Sequence, residues 1–373
     1  MDGQGEWTLI DYLLQKIEES DKSGVEELIG TEMALKGRAW PIHLSLYPVA
    51  QRVLNPPFIN PHLPKMYRVC REFVPYLSEE EIPPLVRLEI FEYTRRPKLE
   101  KVFPPAQTPS SGPFEELEAA IHEGKREETS ALMAAFQQRW GKSELARKLL
   151  LLGSGYLDRS LGHSLSCTAF ILLEMMERPE QDSWPALVTL ADYFCKGGFS
   201  STPRLRNAAP QSEQALENHL LRAATGRGIV NLHHTITRYA VERVRHLLSD
   251  AEYSHLIACW VDFLGGKEAA SPAIEPPIEI SDYSEFHRYF SKREEGPVLA
   301  SFAGLVPTEE GRKRLGRYLV RGLCDLYQGN YDPHYLTGLG SALWVVNRHW
   351  NRPSLALNAL RQYLNYFFTH IIY

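Results

Sequence analysis

Residues 159–176 read RSLGHSLSCTAFILLEMM, and their spacing decides the fold. Cys167 and Phe170 follow His163 at i+4 and i+7, one face of a 3.6-residue helix. That face is apolar, so a helix here buries it and aims His163 into a core. A buried imidazole needs a partner at each ring nitrogen, and a metal plus a carboxylate or carbonyl is one solution. Glu174, three turns on, shares the face and is read either as support for that histidine or as a helix-surface carboxylate.

The same helical spacing recurs outward in both directions. It appears at residues 7–19, 114–140, 213–221, 230–248, 309–327 and 354–373, rich in Glu, Ala, Lys, Leu and Gln. Strand-like alternation is scarce, and no strand–helix alternation supports a parallel sheet. The expected fold is therefore all-α, a large irregular bundle of about 15 helices with essentially no sheet. Residues 98–113 are rich in Pro and Ser and cannot form regular helix. They divide the chain into an N-terminal helical portion, 1–97, and a main helical body, 114–373, expected to pack as one unit. Residues 270–281 form a second break, expected to cross the surface of that body. No fixed-period repeat appears, which disfavours a regular helical array.

Composition narrows the function classes. Of 373 residues, 44% are hydrophobic and 23% charged, enough to bury a sizeable core. The net charge of −5, without a basic run, gives no footprint for nucleic acid. Five cysteines without a C-x-x-C pair disfavour a disulfide framework and a cysteine-rich zinc site, and suit a reducing cytosol. No apolar stretch is long enough for a membrane span, and the first residues lack the pattern of a signal peptide. The expected location is cytoplasmic, with the oligomeric state open. Nucleotide-loop, zincin and nucleophile-elbow motifs are absent; GLGS at 338–341 lacks the preceding strand and third glycine of a dinucleotide loop.

His62, His163, His234 and His334 each stand at or near the start of an apolar helical stretch. Neutral imidazole is the commonest side-chain metal ligand, and histidines from separate helices build metal sites in helical cores. His233 and His234 are about 100° apart on a helix and do not share a face. Arg238, one turn after His234, suits an anionic substrate or an ion pair with Glu242. Gly338 and Ser341 leave space on the His334 face, for a ligand or for close helix packing. Tyr67, Tyr239, Tyr335 and Trp344 are read as core aromatics or as platforms for a flat substrate.

These contexts together resemble the questin oxidase-like family. Pro61-His62-Leu63-Pro64 matches its segment like NHLPM, and LDRSLGHSL at 157–165 matches its L-x-x-G-L-F-H-P-L. His234 and Thr237 match a later helix like MHLVTSSHAL, and Asp332-Pro333-His334 matches a late DGH-x-x-K. Order and approximate spacing agree over roughly residues 40 to 350. The resemblance implies a mostly helical fold and a mononuclear non-heme Fe(II) held by His62, His163, His234 and His334. It implies O2 as co-substrate and ring oxidation of a small quinone- or phenol-type aromatic of polyketide type, with the need for a reductant open. It also implies a lysine-derived ligand three residues after the last histidine, where this chain has Thr337. Thr337 and Arg238 thus stand as candidate catalytic positions, and Lys65, three residues after His62, as an alternative ligand or a solvated lysine. Two other readings stay open: a non-catalytic helical interaction protein, and a zinc-dependent hydrolase using Glu174 or Asp332 as base.

Overall fold

The computed structural model describes residues 8–30, 35–104, 113–206, 210–270, 276–329 and 331–371. Twenty α-helices run through these residues, and the only β pairing among them is two isolated bridges, Val53 with Lys98 and Asn55 with Phe58. The all-α reading holds, with more and shorter helices than the roughly fifteen expected. Residues 114–140, expected as one helix, are two: Phe114–His122 and Arg126–Trp140, parted at Gly124 with φ +70°. Of the expected linker 98–113, residues 105–112 lie outside the described residues; Leu99 is tied back by its N–H to the Arg52 carbonyl at 2.7 Å.

Many helices start on side-chain caps. Thr8 and Ser249 form capping boxes with Asp11 and Glu252, and Asp21, Ser212, Asp282 and Thr308 each accept a first-turn N–H. Four central helices begin differently. His62–Arg71 and His334–Arg348 follow Pro61 and Pro333, whereas His163–Glu177 and Ile229–Arg243 follow Gly162 and Gly228. None of the four has a side-chain cap, and three place a histidine at the first helical position.

These helices pack on one another at the centre of the molecule. His163–Glu177 contacts both His62–Arg71 and Ile229–Arg243, and His334–Arg348 contacts the same two and Pro353–His370. The apolar core is one contiguous cluster from Leu13 to Ile371. Within it runs a buried polar seam that includes Lys65, Ser164, Ser166, Thr168, Thr235, Thr237 and Ser341. Hydroxyls satisfied by their own helix can sit there cheaply; Thr168, Thr237 and Ser341 each donate to a carbonyl three or four residues back, at 2.7, 2.7 and 2.8 Å.

Gly162 sets the distance between two of the helices. Its φ of +76° suits glycine, and a Cβ there would stand 2.1 Å from Thr237 Oγ1. Gly162→Ala therefore forces both backbone strain and overpacking. We expect a loss of about 2–5 kcal/mol in denaturant unfolding, from ~1–2 for the left-handed conformation and ~1–3 for the overlap. Unchanged stability would show that the two helices are not locked at this contact.

Candidate metal centre

Four imidazoles converge where the four helices meet: His62, His163, His233 and His334. His62 Nε2 lies 2.7 Å from His163 Nε2, His163 Nε2 2.9 Å from His233 Nε2, and His233 Nε2 3.0 Å from His334 Nε2. Ring nitrogens of His62, His163 and His334 also lie within 4.8 Å of one another. All four residues are buried. Burial pushes His62, His163 and His233 well below the usual imidazole range, and the charges of neighbouring groups add to the effect. His62 and His163 also sit at helix amino ends, whose positive dipole disfavours imidazolium. His62, His163 and His233 are thus held in the neutral form that can bind metal.

What lies behind the rings fixes their tautomers. His163 Nδ1 faces the Ser160 carbonyl at 2.6 Å, and His233 Nδ1 the Ile229 carbonyl at 2.8 Å. His334 Nδ1 faces Asp332 Oδ1 at 2.6 Å. Each partner is an oxygen acceptor, so each neutral ring carries its hydrogen on Nδ1 and a lone pair on Nε2. Three lone pairs then point at one another across 2.9 and 3.0 Å with no hydrogen between them. A cation among them turns that repulsion into ligation. Asp332 is itself anchored by the Tyr366 hydroxyl at 2.7 Å. Burial would raise its carboxyl, but the bonds from His334 and Tyr366 outweigh that and bring it to about 2. Asp332, His334 and a metal make the carboxylate–histidine–metal arrangement common around protein metals.

His62 differs from the other three. Its Nδ1 meets Asn55 Nδ2 at 3.3 Å, and Arg96 donates to Asn55 Oδ1, which turns the amide's donor side toward the ring. With the amide placed this way His62 Nδ1 accepts and its Nε2 hydrogen points at His163 Nε2, 2.7 Å away; ligation through His62 Nε2 would require that hydrogen to move to Nδ1 and the Asn55 amide to turn its oxygen to the ring.

The spacing bears on which ions fit. Nitrogens ~2.1 Å from one ion are about 3.0 Å apart at right angles and about 3.4 Å apart in a tetrahedron. The 2.9 and 3.0 Å separations among His163, His233 and His334 are close to the right-angle value. That suits tetragonal or octahedral ions with positions to spare better than a closed zinc tetrahedron.

Several expected site residues lie elsewhere. His234 is on an adjoining face of its helix, edge-on to Phe263 at 4.6 Å and with its Nδ1 3.3 Å from Lys267 Nζ. The metal-directed member of the pair is His233. Its stripe, continuing through Thr237 and Ala240, is buried, whereas His234 shares a stripe with Arg238 and Glu242. That charged i, i+4 pair was the signal in the sequence that could have separated the two histidines. Arg238 is engaged by Glu242 at 3.0 Å and by the Tyr253 hydroxyl at 3.1 Å, between the rings of Trp260 and Trp344. Thr337 donates to the Pro333 carbonyl of its own helix at 3.2 Å. Neither borders the cavity beside the histidines. Tyr67, Tyr239, Tyr335 and Trp344 are also absent from its walls; Tyr67 stacks on His43, Tyr239 on Trp344, and Tyr335 packs edge-on against Phe367.

Glu174 is buried and ringed by Arg71, Arg178 and Arg68 at 2.7, 2.7 and 3.5 Å. Burial alone would raise its carboxyl; Arg71 and Arg178 outweigh that and hold it down. It is a structural anion with no free oxygen for base chemistry. Lys65 is fully buried, with Ser166 Oγ 3.3 Å from its Nζ, and burial pushes its amine down. Three residues after His62, it stands near the same side of the helix as that histidine.

A cavity of about 460 Å³ opens on the cluster. His62, His163, His233 and His334 form part of its wall, with Phe58, Ile59, Leu161 and Phe199 giving it apolar faces.

His233→Ala and His234→Ala should behave oppositely. The first removes one ligand and should lower metal affinity ~10–100-fold or more, whereas the second should leave metal content unchanged. Retention of metal by His233→Ala together with loss in His234→Ala would invert the assignment. Comparison with family models, with curated proteins and with solved structures finds nothing that matches this chain.

Proposed function

We propose that this chain is a non-heme iron oxygenase that oxidises a small quinone- or phenol-type aromatic with O2. The ion would be held by His62, His163, His233 and His334. The observation that carries this is the set of three Nε2 lone pairs, of His163, His233 and His334, facing one another with an oxygen acceptor behind each ring. Right-angle spacing supports an ion with open positions, and imidazole ligands suit iron and copper as well as zinc. When bound, such an ion supplies one-electron and O2 chemistry at the positions the protein leaves free.

The chain's own residues account for the rest. Phe58, Leu161 and Phe199 offer apolar faces for a flat ring and keep water from it. Asp332, held by Tyr366, keeps His334 oriented and lends negative charge that stabilises a bound cation. Lys65, three residues after His62 and buried on the same helix, is the candidate for the part that the family resemblance gives to a lysine-derived ligand, in place of Thr337. A buried amine with a hydroxyl partner and no carboxylate is costly in a core, which favours a role beyond packing.

A zinc hydrolase is less well supported. Its candidate bases are Asp332, with both oxygens bonded, and Glu174, tied to arginines.

Elemental analysis of the purified chain, with O2 uptake on a panel of hydroxylated quinones, tests the proposal. The expected result is about one iron per chain and ferrous-dependent O2 consumption. No transition metal above trace would sink it, and zinc at unit stoichiometry without O2 uptake would favour hydrolysis. Lys65→Met should fold with equal or higher stability, since it removes a buried amine, yet bind metal ~10–100-fold more weakly. A Lys65→Met variant that binds metal as tightly as wild type would remove Lys65 from the ligand set.

A further inference from the structure

The cavity beside the histidines carries one uncommitted charge. Of its cationic walls, Lys196 is neutralised by Asp192 at 2.7 Å. Its carboxylate, Asp332, is spent on His334 and Tyr366. Arg159 has no carboxylate partner among the described residues; its guanidinium lies over the Phe199 ring, 5.9 Å from the centroid. It also rests beside Gly198, where a Cβ would stand 3.6 Å from Nη2.

Three further features point to a ligand at this mouth. Phe58, Ile59 and Leu161 line the cavity yet are 61%, 45% and 38% exposed, so apolar surface is held open to solvent beside the arginine. Leu161 is held at φ +51°, an unfavourable conformation for leucine, within the turn that joins Arg159 to His163. Three helix amino ends also converge behind the cavity, at His62, His163 and His334, and they add positive potential.

We propose that Arg159 is a specificity-determining residue that selects an anionic substrate: an aromatic ring body seated on Phe58, Leu161 and Phe199, bearing a carboxylate or comparable oxyanion directed at the guanidinium. Guanidinium recognises carboxylate through a paired set of N–H donors, which a neutral amide does not reproduce. The proposal rests on the cavity being the substrate site of the oxygenase suggested above, but the anion contact does not itself depend on a metal.

The test is calorimetric titration of the purified full chain with 2-naphthoate and with 2-naphthamide, before and after chelation. Wild type should bind the carboxylate on the order of tenfold more tightly than the amide, with the same ratio after chelation. Arg159→Gln should bring the ratio close to one by weakening the carboxylate alone, Arg159→Lys should keep part of it, and Lys196→Gln should leave it unchanged. Equal binding of the two probes by wild type, binding of neither, an unchanged ratio in Arg159→Gln, or loss of the ratio in Lys196→Gln would each overturn the assignment. A preference that vanishes on chelation would put the anion on the metal, overturning the arginine contact while leaving the metal site intact. Conversely, an arginine-dependent preference in a chain that holds no metal would keep this inference and remove the oxygenase reading.

Discussion

The arrangement of the core depends on keeping three imidazole lone pairs pointed at one another. Left alone, such rings would rotate or protonate to relieve the repulsion. Here the Ser160 and Ile229 carbonyls and the Asp332 carboxylate hold each Nδ1–H, so the rings cannot turn without breaking a buried hydrogen bond. Protonation of His163 and His233 is opposed by burial and, for His163, by its place at a helix amino end. The relief that remains is a cation. Structural preorganisation of this kind ties the fold to the site, because the acceptors belong to the same helix starts that deliver the rings.

The N-cap positions before His62, His163 and His334 hold Pro or Gly, and two of these helices take their first-turn acceptors from further back: Asp332 Oδ1 accepts the His334 N–H at 2.8 Å and Ser160 Oγ the Ser164 N–H at 3.0 Å. At Gly162 the absence of a Cβ also admits Thr237 of the neighbouring helix. The peripheral helices use ordinary caps and capping boxes.

The charged groups of the core divide into two kinds. Glu174 and its arginines satisfy one another and stay remote from the cavity wall, as does Arg238 with Glu242 and Tyr253. Lys65 and Arg159 are not satisfied by an opposite charge, and both belong to the histidine region: one buried beneath it, the other at its mouth. Function is therefore best sought at the second pair. The sequence drew attention to Arg238 because it follows a histidine by one turn, a proximity that helix geometry makes equally good for an ion pair.

Amino-acid order by itself determined the helical class, through apolar spacing, and marked His62, His163 and His334 as helix-start histidines facing a core. Those properties are local: they depend on residues within a turn or two. Residue order also contained the distinction between His233 and His234, in the Arg238–Glu242 stripe; the family resemblance pointed to His234, whereas the ring that meets the other three is His233. Only tertiary structure decided that four rings from helices up to 272 residues apart meet, from His62 to His334. It alone showed that Arg159 shares a cavity with them, and that Tyr67, Tyr239, Tyr335 and Trp344 do not. Convergence of this kind depends on how whole helices pack and which way each is rotated, and no spacing along one segment encodes the rotation of another.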